Sequence, residues 1–263
     1  DNLQKLERFG YKIIAPAVGM LACHDVGAGK MPEPEMLLDW ILREIACKKD
    51  LQGKKILVTA GPTQEAVDPV RYLTNHSTGK MGYALARCAM LRGADVKLVT
   101  GPTAITPPPF VQTVAVTSAE EMYQEVTKRA AEQNAIIMAA AVADYRPATV
   151  SAEKQKKQAG DAVLPLSRTK DILAYLGEHK PAGQFLCGFS METQHNAGKF
   201  QSQTEAKTLG YDLCQQSKSC WCRLWHRYQR SNTDTGSKRT RIAAAIQGSC
   251  GHAILDVIAK TLS

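Results

Sequence analysis

The stretch KKILVTAGPTQEAVDPVRYLTNHSTGKMG, residues 54–82, concentrates side chains that can do chemistry. Asp68, Arg71, Asn75 and His76 fall in one loop, and a loop that only connects two elements has no use for so many polar groups. Small residues let backbone N–H groups approach an anion, and a helix N-terminus favours negative charge. Gly61, Ser77, Gly79 and Lys80 are therefore candidate phosphate contacts. A second concentration follows in AAAVADYRP (139–147) and EKQKK (153–157). Taken singly, each residue has an ordinary reading. An Asn in a polar loop is usually a turn residue, an Arg a surface ion pair, a lysine run a solvated face, and an Asp after an apolar strand a helix cap. Their joint occurrence, in order and at strand ends, points beyond those readings.

The elements that must position them alternate. Ile56–Ala60 is a β-rich apolar strand, and Lys80–Leu91 a helix with Met81, Leu85, Cys88 and Ala89 on one face. Val96–Thr100 and Val111–Val116 are further strands. Ser118 and Glu121 fit the N-cap and capping-box positions of a helix. Ala135–Ala141 is wholly apolar, as a strand buried on both faces should be. This alternation predicts an α/β fold: a Rossmann-like, doubly wound, mainly parallel sheet with helices on both faces. Ligands then sit beyond the carboxyl ends of the strands, where Gly61–Gly79 and Ala143–Lys157 fall. Ahead of this region, residues 1–32 read as a strand at Tyr11–Ile14 and a glycine-bearing loop over Gly19–Gly29. An amphipathic helix over 35–47 and a linker at Asp50–Gly53 complete it.

The chain has 263 residues and 44% hydrophobic content, enough for a sizeable core. It contains no apolar run long enough to span a membrane. Eight Cys without the spacing of a small secreted disulfide scaffold favour a reducing cytoplasm. The N-terminus has neither an initiator Met nor a signal-peptide pattern, as expected of the middle of a longer protein. The net charge of +8 is uneven: residues 195–251 hold nine Lys/Arg against three Asp/Glu, or +6. Global electrostatics therefore say little about the first 194 residues.

The combination DPVRYLTNHSTGKMG, AAAVADYRP, EKQKK, DIL and CGFSMET resembles phosphopantothenoylcysteine synthetase, the CTP-dependent ligase of coenzyme A synthesis. The likeness covers roughly residues 54–194. Residues 9–34, with LACHDVGAGKM, are similar to the last stretch of the FMN-dependent phosphopantothenoylcysteine decarboxylase that precedes this ligase in a bifunctional protein. The resemblance implies residues 1–50 as the end of the decarboxylase domain plus linker, and 51–263 as the ligase domain. It implies 4'-phosphopantothenate, cysteine and CTP as substrates, Mg²⁺ as the cation, and FMN only in the upstream half. It also implies a homodimer of the ligase domain and a larger homo-oligomer of the intact protein.

The resemblance carries roles as well. Asn75 matches the asparagine that converts the acyl-CMP intermediate, its N–H₂ a suitable oxyanion donor. Arg71 matches an arginine of the same step, with a fork that suits phosphate or carboxylate. Lys154 begins KxKK and, with Lys156 and Lys157, would face the CTP phosphates. Asp144 matches a nucleotide-site aspartate that could hold the cation or ribose. Ala140, Asp171 and Phe189 join it as nucleotide-site candidates. Cys23 matches the cysteine of the decarboxylase's substrate-clamping loop, although His24 stands where that family has glycine and Lys30 where it often has arginine. With the flavin region upstream, this stretch alone is expected neither to bind FMN well nor to decarboxylate.

Residues 195–251 break the pattern. They show almost no strand periodicity and hold four of the eight Cys and two of the three Trp. Back-translated as TAT GAT CTG TGC CAA CAA TCT AAA, Tyr211–Lys218 shifted by one base reads MICANNL, a family-like strand. Ser217–Asp234 yields KVAGAGFGTDTNVVTLI by the same treatment. A one-base frameshift near Gln194–Ala197, compensated near Cys250–Gly251, would account for both, and for the family style of HAILDVIAKTL after it. In that event the later strands and dimer contacts are lost; the coding DNA decides. The shift also disposes of Cys214, Cys220, Cys222 and His226 as metal ligands, whose spacing is not a standard zinc pattern. A nucleic-acid surface built on Trp221 and Trp225 goes with them. One rival remains, a Rossmann-like nucleotide binder without ligase chemistry. Against it, the first strand lacks G-x-G-x-x-G after it and the second lacks an acidic residue at its end.

Overall fold

The computed structural model describes residues 1–20, 24–157, 160–192, 211–216, 219–226, 239–243 and 247–262. They form two units, Asp1–Lys48 and Lys49–Ser263. The first holds α1 (Asn2–Arg8), β1 (Ala17–Met20), β2 (Val26–Lys30) and α2 (Pro34–Ile45). No residue of either helix is buried. Pro34 starts α2 at a position where its missing N–H costs nothing. The sequence placed a strand at Tyr11–Ile14 and a loop over Gly19–Gly29. Instead Tyr11–Ile14 is irregular, and β1 and β2 pair as an antiparallel hairpin across the glycine-bearing stretch. A ribbon that buries nothing needs no apolar alternation, so periodicity could not locate it.

The second unit is the α/β domain. In chain order it contains β3 (Lys55–Ala60), β4 (Gln64–Ala66), β5 (Tyr72–Thr74), α3 (Lys80–Leu91), β6 (Asp95–Thr100) and β7 (Gln112–Ala115). Then come α4 (Ala119–Ala130), β8 (Ala135–Met138), β9 (Tyr145–Pro147), β10 (Leu166–Arg168), α5 (Ile172–His179) and β11 (Phe185–Glu192). β12 (Tyr211–Gln216), β13 (Ser219–His226), β14 (Arg239–Ala243) and α6 (Gln247–Leu262) complete it. The main sheet runs β14-β13-β12-β11-β8-β3-β6-β7. β7, β6, β3, β8, β11 and β12 are parallel; β13 runs against them, and β14, antiparallel to β13, runs with them. The parallel strands thus take the doubly wound order 3-2-1-4-5-6, with its reversal between β3 and β8.

Alternation along the central strands sorts the core. Ile56, Val58 and Ala60 join α3 and α6 on one face, through Leu85, Ala89, Ile254 and Ile258. Leu57, Ile136 and Met138 join α4 and α5 on the other, through Met122, Val126, Ile172 and Leu176. The Arg92 guanidinium is buried at the end of α3. Its Nε and Nη2 donate to Asp50 at 2.8 and 2.6 Å, and its Nη1 to Asp256 of α6 at 2.7 Å and to the His252 carbonyl at 3.1 Å. Ser118 caps α4 by accepting from the Glu121 N–H at 3.2 Å, as its spacing predicts.

The described backbone after residue 195 forms strands. β12 pairs with β11, and β13 and β14 extend the edge. Strand pairing is satisfied by main-chain groups, and an open edge such as β11 accepts a strand without an apolar period in it.

One contact sets a sharp limit. A Cβ on Gly82 would lie 2.5 Å from the Ala60 Cβ and 2.7 Å from the Thr59 carbonyl. Gly82→Ala gains about 1 kcal/mol of helix propensity but must push α3 off β3, an overpacking cost of about 1–3 kcal/mol. The expected net effect is a loss of up to roughly 2 kcal/mol, read by denaturant unfolding; a gain in stability would refute this packing.

Candidate active site

The two loops that leave β3 and β8 are fastened to each other. The Ala141 N–H donates to Gly61 O at 2.9 Å and the Thr63 N–H to Ala141 O at 3.2 Å, so the two chains continue as a bridge beyond the sheet. Two buried threonine hydroxyls complete the join. Thr59 Oγ1 accepts from the Ala140 N–H at 3.1 Å and Thr63 Oγ1 from the Ala143 N–H at 2.9 Å. The loop after β6 packs in as well. A Cβ on Gly101 would sit 1.8 Å from the Pro62 carbonyl. Gly61 (φ +73°) and Gly79 (φ +76°) lie against each other and against Thr103. Both glycines allow close backbone packing here. Ser77 Oγ accepts from the Gly79 N–H at 3.3 Å, and Lys80 stands exposed at the start of α3.

Beside this join lies a cavity of about 530 Å³, walled by the ends of β8 and β11, the β10–α5 turn and the start of α5. Ala140, Asp144, Asp171 and Phe189 all line it. Four residues separated by almost fifty positions are thus gathered in one place. The wall also includes Arg168, Thr169 and Lys170, which sequence reasoning did not single out. Their only signal was a pair of basic residues just before a helix cap. Thr169 ties its segment to the β8 loop, its N–H donating to Asp144 O at 3.0 Å and its hydroxyl to Ala143 O at 2.6 Å. Lys170 donates to Glu120 at 2.7 Å and lies 4.6 Å from the centre of the Tyr123 ring. That contact raises the Lys170 pKa and, in return, lowers that of Glu120. Asp171 has a structural duty too: its Oδ1 accepts from the Ala174 N–H at 2.9 Å and caps α5.

Asn75 stands at the rim. Its Nδ2 donates to Ala141 O at 3.3 Å and Val142 O at 3.2 Å. The N–H₂ expected to serve as an oxyanion donor is bonded here to two backbone carbonyls. Arg71 differs from expectation in the same sense. Its Nε and Nη2 both grip Asp68, at 2.9 and 2.5 Å, and Nη2 also donates to Gln155 O at 3.1 Å. The Nε and Nη2 edge of the fork is taken up by the protein itself, and the side chain is half-exposed.

Lys154, Lys156 and Lys157 are exposed on the loop between β9 and β10, outside the cavity wall. Cys23 lies outside the described residues, as do the side chains of Cys214, Cys220, Cys222 and His226. Among the described residues no group of three His, Cys, Asp or Glu could hold a metal ion. Asp144 offers one exposed carboxylate on the cavity wall, which suits a Mg²⁺ carried in by a polyphosphate better than a resident metal. No helix among the described residues is long and apolar enough to cross a membrane.

Residues 51–215 match the family model of the DNA/pantothenate metabolism flavoprotein C-terminal domain. The chain belongs to this family. The coenzyme A biosynthesis bifunctional protein CoaBC of Vibrio vulnificus (strain YJ016) is 46% identical over 211 residues, 80% of this chain and 52% of that one. Its counterpart in Escherichia coli (strain K12) is 44% identical over 197 residues, 74% and 48%. The chain thus spans about half the length of the curated relatives it matches. The crystal structure of the C-terminal domain of a CoaBC protein superposes with a TM-score of 0.70 at 36% identity, covering 82% of this chain and 98% of that domain. The Rossmann-like reading of the sheet is therefore that of the family.

The capping role of Asp171 yields a prediction. Asp171→Ala should cost about 1 kcal/mol in denaturant unfolding, whereas Asp171→Ser, which can still cap, should stay within a few tenths. Equal losses in both would detach the residue from the cap.

Proposed function

We propose that the domain joins 4'-phosphopantothenate to cysteine at the expense of CTP, in coenzyme A biosynthesis. The observation that carries this is the gathering of Ala140, Asp144, Asp171 and Phe189 around one cavity, with Asn75 bonded to the backbone of its rim. Membership of the family and the likeness to a CoaBC C-terminal domain support it.

In this reading the pantothenate carboxylate attacks the α-phosphate of Mg-CTP. Pyrophosphate leaves and an acyl-CMP anhydride remains. The cysteine amine then attacks the acyl carbon, loses a proton and expels CMP. Ala140 leaves room for the nucleotide beside the strand end, Phe189 offers it an apolar wall, and Asp144 holds the ribose or the cation. Lys154, Lys156 and Lys157 close over the triphosphate, where positive charge is worth most as charge develops on the departing oxygens. Ser77 and Lys80, at the start of α3, take the pantothenate phosphate. Asn75 acts in the second step. With its N–H₂ pinned, its Oδ1 accepts an N–H of the incoming amine and aims the nitrogen lone pair at the acyl carbon.

We further read residues 51–263 as the ligase domain and 1–50 as the end of a decarboxylase half, with FMN held by neither. Residues 195–251 are read as frameshifted, the working assembly as a homodimer, and its location as the cytoplasm.

The test is pyrophosphate release from purified protein given 4'-phosphopantothenate, Mg²⁺ and CTP, with and without cysteine. Release should depend on phosphopantothenate. Asn75→Ala should still release pyrophosphate but form product about a hundredfold more slowly, with acyl-CMP accumulating. Release without phosphopantothenate, or a variant slowed only in the first step, would contradict the assignment.

A further inference from the structure

Asp68 accepts five hydrogen bonds. It sits at the tip between β4 and β5, its side chain fully buried beside the half-exposed Arg71. Oδ1 accepts from the backbone N–H groups of Val70 and Arg71 at 2.9 and 2.8 Å. Oδ2 accepts from Arg71 Nε and Nη2, and from the backbone N–H of Gln155 at 3.2 Å. That last bond reaches across 87 positions into the lysine loop. Arg71 repeats the reach by donating to Gln155 O, and the Ser151 N–H donates to Val67 O at 3.0 Å. Both polar groups of the Gln155 backbone are thus held by the 67–71 turn. Gln155 lies between Lys154 and Lys156.

We propose that Asp68 is a positioning residue: with Arg71 it forms a clasp that holds the Lys154–Lys157 loop by the Gln155 backbone and sets where those lysines stand. The proposal rests on the ligase reading only for what the lysines then do. It changes the role of Arg71 from a ligand of substrate to a part of the clasp. Three same-sign charges repel one another, and the bonds from Asp68 and Arg71 to the Gln155 backbone anchor the loop against that repulsion.

The clasp is built to stay charged. The Arg71 side chain, aided by three backbone N–H groups and opposed by burial, holds the Asp68 carboxyl well below the usual carboxylate range. A depressed carboxylate contributes its full share above the ordinary range and loses it only as the pH falls through the folded value. The clasp should therefore be unchanged at any pH above the ordinary carboxylate range.

Asp68→Asn keeps the Oδ1 that makes the turn but turns an N–H₂ toward Gln155 and Arg71, so it breaks the clasp with little change in shape. Hydrogen exchange of peptides covering residues 151–157 should then quicken about tenfold, while exchange in β3 stays unchanged. Gln155→Pro, which lacks the donated N–H and also loses the side-chain bond to Ser151 Oγ, should quicken exchange at the neighbouring amides likewise. In the pyrophosphate assay, Asp68→Asn should lower kcat about tenfold, and a Lys154→Gln, Asp68→Asn double variant should be no slower than Lys154→Gln alone. Unchanged exchange in residues 151–157 in both single variants, or losses that multiply in the double variant, would overturn the proposal. Absence of any CTP-dependent release from the unsubstituted chain would instead sink the ligase reading, and the exchange measurement would still decide the clasp.

Discussion

The site depends on one constraint: two parallel strands that part company at the centre of the sheet are held together beyond it. β3 and β8 feed helices on opposite faces, so their loops diverge and leave a crevice. Here the crevice is given a fixed floor by the exchange of hydrogen bonds between Gly61, Thr63, Ala141 and Ala143, and by the buried hydroxyls of Thr59 and Thr63. A buried hydroxyl without a partner is costly, so each threonine specifies the loop backbone it bonds. Ala140 and Asp144 reach the cavity because those bonds leave the loop no other path, and Asn75 bonds to the same stretch from the other side.

A second theme is that charged side chains act on backbone as much as on one another. Asp68 organises its own turn and a loop far along the chain. Arg92 joins Asp50, the end of α3 and the last helix through carboxylates and one carbonyl. Asp171 caps the helix that forms part of the cavity wall. In each case a residue type that reads as surface charge or as ligand is committed to holding main chain in place.

The legible part of the sequence was the part with a period or a cap. Ile56–Ala60 and Ala135–Ala141 announced buried parallel strands, and Ser118 with Glu121 announced a helix start; from these the strand ends and the ligand crevice followed. Four of the residues that family likeness marked as nucleotide-site candidates do share one cavity. Partners were less legible. Arg71 read as an open fork because nothing in DPVR says that the Asp three residues earlier is buried and already bound to it. The helix cap foreseen as an ordinary role for Asp144 is made by Asp171. Arg168 drew no notice because its place is set by the β9–β10 ladder, which three-residue strands do not betray, and Lys170 because its partner Glu120 lies fifty positions away. The β1–β2 hairpin, burying little, left no period to find.

The central claim is that the crevice beside β8 receives the nucleotide. Isothermal titration of CTP with Mg²⁺ against the chain and against Ala140→Leu tests it directly, since Ala140 lines the cavity and a larger side chain there fills it. Binding to the unsubstituted chain that weakens about tenfold or more in Ala140→Leu, with the unfolding midpoint unchanged, is the predicted result. Equal affinity in the two proteins would place the nucleotide elsewhere and contradict the account.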